Sequence, residues 1–229
     1  MTLSAEDMLD RLYSTREAVD EGGAVRPLHS EIPRSFADAL TVMIQRVRPQ
    51  LVVEIGMAHG LSSLAILRAL PDGGELISVD PFQTDKFGGA GRCAVAETDR
   101  ANAHRLIEEP SHLALPALLR EGMQVDFVYI DGMHTFDYVA LDAFYAHKLL
   151  PVGGVVGFND CGYRSVHKFL KYFRRHRDYQ ELDSGLPADH RGANPAFTAV
   201  RRLTGRSNQD RYFRKLSDRE PRFDEFHQF

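Results

Sequence analysis

The chain has 229 residues, 43% of them hydrophobic, and a net charge of −4. That is ample for one large α/β domain, and the acidic balance excludes a general electrostatic drive toward nucleic acid. No apolar run is long enough to cross a bilayer, and Met1-Thr-Leu-Ser-Ala-Glu lacks the basic and apolar segments of a secretory signal, so a cytoplasmic location is expected.

Ser4-Ala-Glu-Asp opens a capped helix with Met8, Leu9 and Leu12 on one side. A second helix runs from Pro33 through Phe36, Leu40, Met43, Ile44 and Val47 to Pro49. Leu51 to Ile55, broken only by Glu54, has the composition of a central parallel strand covered on both faces. It enters a turn bracketed by Gly56 and Gly60, and a helix starts near Leu61. Open α/β sheets bind nucleotides at such junctions. A dinucleotide fingerprint needs glycines where this chain has Gly56, Ala58 and Leu61, and a phosphate-cradling loop needs a lysine that the turn lacks. The crevice therefore suits a nucleoside without a polyphosphate.

Glu75 to Asp80 forms the next strand, and Asp80 at its tip is placed to accept hydrogen bonds from a ribose diol. Pro81 to Gly91 is a glycine-rich loop, read either as a mobile cover for substrate or as a plain connection. A helix near Cys93 to Asn102, a short strand at Arg105 to Glu108 and a helix from Ser111 through Leu119 follow. Phe127 to Ile130 is the strand expected beside the first, delivering Asp131-Gly132-x-His134 to the ligand edge. Tyr138, Leu141, Phe144, Tyr145 and Leu149 recur at helical spacing and are expected to pack on the sheet. Pro151-Val-Gly-Gly154 turns into the strand Val155 to Phe158, which brings Asn159 and Asp160 to the same edge. Oxygen donors so grouped suit a hard cation such as Mg²⁺. His134, titrating near neutrality, is the candidate general base, and a capping role is its plain structural alternative.

Val166, Phe169, Leu170 and Phe173 form the apolar stripe of a further helix. Its other face carries Lys168, Lys171, Arg174, Arg175 and Arg177, read as a solvated face rather than a nucleic-acid contact. Strands near Tyr179 to Leu182 and Phe197 to Leu203 would end the sheet, with a Gly185 to Pro195 loop containing His190 and Arg191 at the acceptor pocket. The segment 204–229 is read as a tail docked on the domain or on a second subunit. Cys93 and Cys161 have no metal-ligand spacing, and no disulfide is expected of them.

Glu54-x-Gly56-x-x-x-Gly60 followed by Asp80 resembles the class I S-adenosylmethionine-dependent methyltransferases. Ile-Asp-Gly-x-His, then Leu-Leu-Pro-x-Gly-Gly, then Asn-Asp resembles their sugar and antibiotic branch, related to macrocin O-methyltransferase and more distantly to catechol O-methyltransferase. The resemblance, carried by Leu51 to Phe173, implies a doubly wound, Rossmann-like, seven-stranded, mostly parallel α/β sheet with an antiparallel last strand. It implies a cofactor held by Glu54, Gly56, Met57, Ala58, Gly60 and Ser62, and by Ser63, Asp80, Pro81, Glu109, Ser111 and Asp131. Residues 1–48 would roof the ligand site or dimerise the protein, and 49–203 would be the catalytic domain. Asp131, Asn159 and Asp160 match the family's metal ligands, although relatives show Asp-Asp or Asp-Asn where this chain has Asn-Asp. The implied reaction is O-methylation of a small hydroxylated molecule, a sugar or natural-product intermediate, with Asp131 and His134 at the chemical centre. Two alternatives stand beside it: a metal-dependent hydroxylase of the cephalosporin hydroxylase type, and a non-catalytic nucleoside-binding protein on the same fold.

Overall fold

A computed structural model of the chain describes residues 2–186 and 209–228. In chain order its elements are α1 (Ala5–Thr15), β1 (Glu17–Val19), β2 (Val25–Pro27), α2 (Arg34–Val47), β3 (Leu51–Ile55), α3 (Leu61–Leu67), β4 (Glu75–Val79), α4 (Ala90–Ala96), β5 (His104–Ile107), α5 (Ser111–Arg120), β6 (Phe127–Ile130), α6 (Phe136–Leu149), β7 (Val155–Phe158), α7 (Arg164–His176), β8 (Tyr179–Leu182) and β9 (Arg211–Lys215).

Seven strands form one sheet in the order β5-β4-β3-β6-β7-β9-β8. β5, β4, β3, β6 and β7 run parallel, and β9 is antiparallel to both of its neighbours. Strand alternation divides the interior into two layers. Val52, Leu76, Phe127, Tyr129 and Tyr212 face the layer built by α1 to α4. Val53, Ile77, Val128, Val156 and Phe213 face α5, α6 and α7. Order reverses at β3, whose neighbours β4 and β6 lie on opposite sides, and a crevice opens there beyond the strand ends.

Local signals explain several boundaries. Ser4 Oγ accepts from the Asp7 N–H at 3.0 Å and starts α1, which ends at Arg16 in the left-handed region. On α7 the stripe Val166, Phe169, Leu170 and Phe173 is buried, and Lys168, Lys171, Arg174 and Arg175 are exposed to solvent, as the spacing predicts, whereas Arg177 just past the helix is largely buried and pairs with Glu220.

Other boundaries differ from the sequence reading. The last strand is Arg211–Lys215, inside the segment read as a tail, and Phe197 to Leu203 lies outside the described residues. Arg211-Tyr-Phe-Arg-Lys carries three cations and hides its strand character. Lys215 is nevertheless buried, because Nζ donates to the carbonyls of His147 and Leu150, both at 2.7 Å, at the C-terminal end of α6. A short hairpin, β1 with β2, precedes α2 and was not anticipated. α4 starts at Ala90 and ends at Ala96, so only part of the expected 93–102 helix forms. On α6 the buried face is Val139, Asp142, Ala143, Ala146 and Leu149, and Phe144 is exposed. The loop after β4 is tied down: Glu21 N–H donates to the Gly88 carbonyl at 3.0 Å, and Thr84 N–H donates to Glu108 Oε1 at 2.5 Å.

Candidate functional site

A cavity of about 600 Å³ occupies the crevice beyond β3, β4, β6 and β7. Segment 30–33 before α2 and Phe82, Lys86 and Phe87 of the loop after β4 line its outer side. The volume suits a ligand of nucleoside size with room for a second small molecule. Lys86 is the one Lys or Arg on the described wall, which agrees with a ligand lacking phosphates.

The floor is the turn after β3. Gly56 has φ +91°, and a Cβ there would lie 2.2 Å from the Asp131 carbonyl oxygen, so only glycine lets the tips of β3 and β6 approach this closely. Asp80 holds the turn in place: Oδ2 accepts from the N–H groups of Met57 at 3.0 Å and Ala58 at 2.8 Å, and Oδ1 accepts from Phe82 N–H at 2.8 Å. Ala58 sits at φ +46°, a strained conformation that these bonds stabilise.

Gly56, Met57, Ala58, Ser62, Asp80, Pro81, Ser111 and Asp131 all border the cavity. Glu54, Gly60, Ser63 and Glu109 do not. Glu54 is buried beneath the turn, where Oε2 accepts from Ser63 Oγ at 2.5 Å and Ser78 Oγ at 2.6 Å. Burial pushes its carboxyl up to about 7, against the pull of the serine hydroxyls. Gly60 precedes α3 and packs on Gly91, and Glu109 is exposed. These residues shape the site from behind or from outside it.

The chemical end of the cavity unites Asp131, His134, Asn159 and Asp160 as expected, and adds Tyr163, whose ring centroid lies 5.4 Å from that of His134. His134 Nε2 is 3.6 Å from Asp131 Oδ1 and 3.8 Å from Asp160 Oδ2, beyond hydrogen-bond length, and has no aligned partner. Burial lowers its pKa below the usual histidine value, opposed by Asp160 and the adjoining Asn159 side chain. Burial drives the Asp131 carboxyl well above the ordinary range, reinforced by Asp210, Asp160 and Glu54. Asp160 sits at φ +51°.

A divalent cation at Asp131 and Asp160 would compete with His134 for their oxygens. The imidazole Nε2 lies beside both the Asp131 and the Asp160 carboxyl groups, and the Asn159 amide donates from Nδ2 to Asp210 at 3.0 Å. Among the described residues no group of three or more His, Cys, Asp or Glu is gathered to hold a metal. The expected metal role of Asp131, Asn159 and Asp160 therefore finds no support in the geometry, because a cation needs several oxygens converging near 2.0–2.6 Å, roughly.

Three features escaped the sequence reading. Asp210, fully buried, backs the site from what was read as tail. Within the segment 1–48 read as a roof or dimer element, the particular residues 30–33 that reach the cavity were not singled out, because Glu31-Ile-Pro just before a helix gave only a boundary signal. His59, inside the quoted turn, borders the cavity with both ring nitrogens buried and unpartnered, 4.7 Å from the His29 ring, and burial and His29 pull its pKa down to about 4. The loop with His190 and Arg191 lies outside the described residues from position 187 on.

Comparison with known proteins agrees with this architecture. Residues 53–161 match the family model of a methyltransferase domain. Caffeoyl-CoA O-methyltransferase 2 of Petunia hybrida is 28% identical over 170 residues, covering 66% of this chain and 65% of that protein. The caffeoyl-CoA O-methyltransferase of Petroselinum crispum is 29% identical with 66% of each chain covered. The chain thus spans just under two thirds of the length of these curated relatives. Among solved structures, the O-methyltransferase TomG of Streptomyces achromogenes, involved in tomaymycin synthesis and in complex with S-adenosylmethionine, superposes with a TM-score of 0.68 at 16% identity, covering 93% of this chain and 89% of that one. An O-methyltransferase of Bacillus cereus in complex with S-adenosylhomocysteine gives 0.63 at 14% identity, covering 78% and 81%. At such identities the likeness establishes the fold.

Proposed function

We propose that the chain is a class I S-adenosylmethionine-dependent methyltransferase that methylates a hydroxyl oxygen of a small acceptor, with His134 as general base. The bound cofactor supplies an electrophilic methyl group on its sulfonium. The turn at Gly56 to Ala58 and the Asp80 carboxylate would hold it against the backbone. Ser111 and Pro81 would border its base.

The observation that carries the base assignment is that His134 lines the cavity with a buried, unpartnered Nε2 beside the Asp131 and Asp160 carboxyl groups. Neutral at physiological pH because of burial, the ring can take the acceptor hydroxyl proton, and Asp160 and the Asn159 side chain then stabilise the imidazolium. No step requires a metal. With Lys86 the one Lys or Arg on the described wall, we favour a sugar or natural-product hydroxyl over a coenzyme A ester, whose phosphates would need more cations.

The test incubates the protein with S-adenosylmethionine and a panel of hydroxylated sugars and phenols, reading methylated product by mass. His134→Gln is expected to slow transfer by about 10²–10⁴-fold. Its affinity for S-adenosylhomocysteine should stay within about threefold, less than one kcal/mol. Cofactor binding without methyl transfer to any acceptor would favour the hydroxylase or nucleoside-binding alternatives.

A further inference from the structure

Asp210 lies immediately before β9, behind the cavity wall, and is fully buried. Tyr129 on β6 donates its hydroxyl to Asp210 Oδ2 at 2.6 Å. Asn159, just past β7, donates from Nδ2 to Asp210 Oδ1 at 3.0 Å and to the Tyr129 hydroxyl oxygen at 3.3 Å. Three neighbouring strands thus contribute one member each to a closed polar cluster. Buried carboxylates are retained at a desolvation cost, so each calls for a reason.

The reason lies in the two-sided Asn159 amide. Its NH₂ has two acceptors behind it, so its carbonyl oxygen is left on the cavity side, where the Asn159 side chain adjoins His134 and favours the imidazolium. Turning the amide over would press that oxygen against the Asp210 carboxylate and present N–H groups to the histidine. The same cluster accounts for asparagine where the resemblance leads one to expect aspartate. An aspartate at 159 would set a second carboxylate about 3 Å from Asp210 with no cation between them.

We propose that Asp210 is a positioning residue: it locks the Asn159 amide so that its carbonyl faces His134, and it makes 159 and 210 one amide–carboxylate unit. The role in catalysis rests on the reading of His134 as base, whereas the locking itself does not.

Protein carrying ¹⁵N-histidine tests this, with the His134 ring signals assigned by their loss in His134→Gln. Asp210→Ala and Asn159→Asp are each expected to shift those signals while S-adenosylhomocysteine affinity, measured by calorimetry, stays within about threefold. Asn159→Asp/Asp210→Asn exchanges amide and carboxylate, and it should return the His134 signals toward wild type and recover most of the thermal midpoint lost in Asn159→Asp. Unchanged His134 signals in folded Asp210→Ala would overturn the proposal. Should that variant not fold, the exchange decides: a double variant as perturbed as Asn159→Asp alone overturns it. Absence of methyl transfer by the wild type would instead sink the proposed function and leave this result standing.

Discussion

Replacing Asp80 with alanine tests whether the cofactor crevice is organised from beneath. The carboxylate accepts from three backbone N–H groups, those of Met57, Ala58 and Phe82, and none of the three bonds spans more than 3.0 Å. Met57 is buried, whereas Ala58 and Phe82 are partly open to water. An orphaned buried donor costs about 1–3 kcal/mol, so one full and two partial losses sum to roughly 3–5 kcal/mol. For a domain of this size the midpoint of thermal unfolding should fall by about 6–20 °C. Asp80→Asn keeps one acceptor oxygen and should lose about 1–2 kcal/mol. Calorimetric scans of the three proteins, paired with titrations of S-adenosylhomocysteine, read stability and crevice together. Without its anchor Ala58 can leave φ +46°, so affinity should drop in Asp80→Ala as well. An alanine variant that unfolds within about 1 °C of wild type would refute the anchoring argument.

Gly56→Ala should fail to bind S-adenosylhomocysteine and lose at least about 2 kcal/mol, since the new Cβ meets the Asp131 carbonyl at 2.2 Å and φ is +91°, and normal melting and binding would contradict the close-approach reading. Asp142, fully buried on α6 with neither carboxyl oxygen hydrogen-bonded, has its carboxyl raised by burial from 3.8 to about 7, with the Ser111 side chain pulling the other way. A raised acid means the native state holds its proton longer than the unfolded chain, so this group's share of stability is full below pH 4 or so and is lost as pH rises to about 7. Asp142→Asn should therefore match wild type near pH 4 and exceed it by about 2–4 kcal/mol at pH 8 in urea unfolding, and an equal gain at both pH values would argue against the burial account. Because the imidazole Nε2 lies beside both the Asp131 and the Asp160 carboxyl groups, excess EDTA should leave methyl transfer unchanged, and activity restored only by added Mg²⁺ would overturn that view.

Periodicity and glycine placement carried much of the sheet. Val52 and Val53 must point to opposite faces, and both faces are covered, so the apolar run 51–55 could be read without a structure. Helix α7 was equally legible, its stripe separated cleanly from its cations. β9 was not, because Lys215 looks like surface until the α6 carbonyls that receive its ammonium group are in place. Phe144, expected to pack on the sheet, is exposed and Asp142 is buried in α6 for a related reason: which part of a helix faces inward depends on neighbours that one-dimensional spacing does not contain.

The sequence by itself determined that a strand ending in Glu54-x-Gly56 and a strand ending in Asp131 would open a nucleoside-sized crevice, since those features depend on backbone freedom and on the order of local elements. Only the tertiary structure decided what the polar residues there do. It turned Asp80 toward backbone amides, sank Glu54 beneath the turn, set His134 beside two carboxyl groups and brought Asp210 from far along the chain to the back of Asn159. A side chain's protonation state and hydrogen-bond partners depend on its burial and on groups distant in sequence, and both come into being only when the strands assemble.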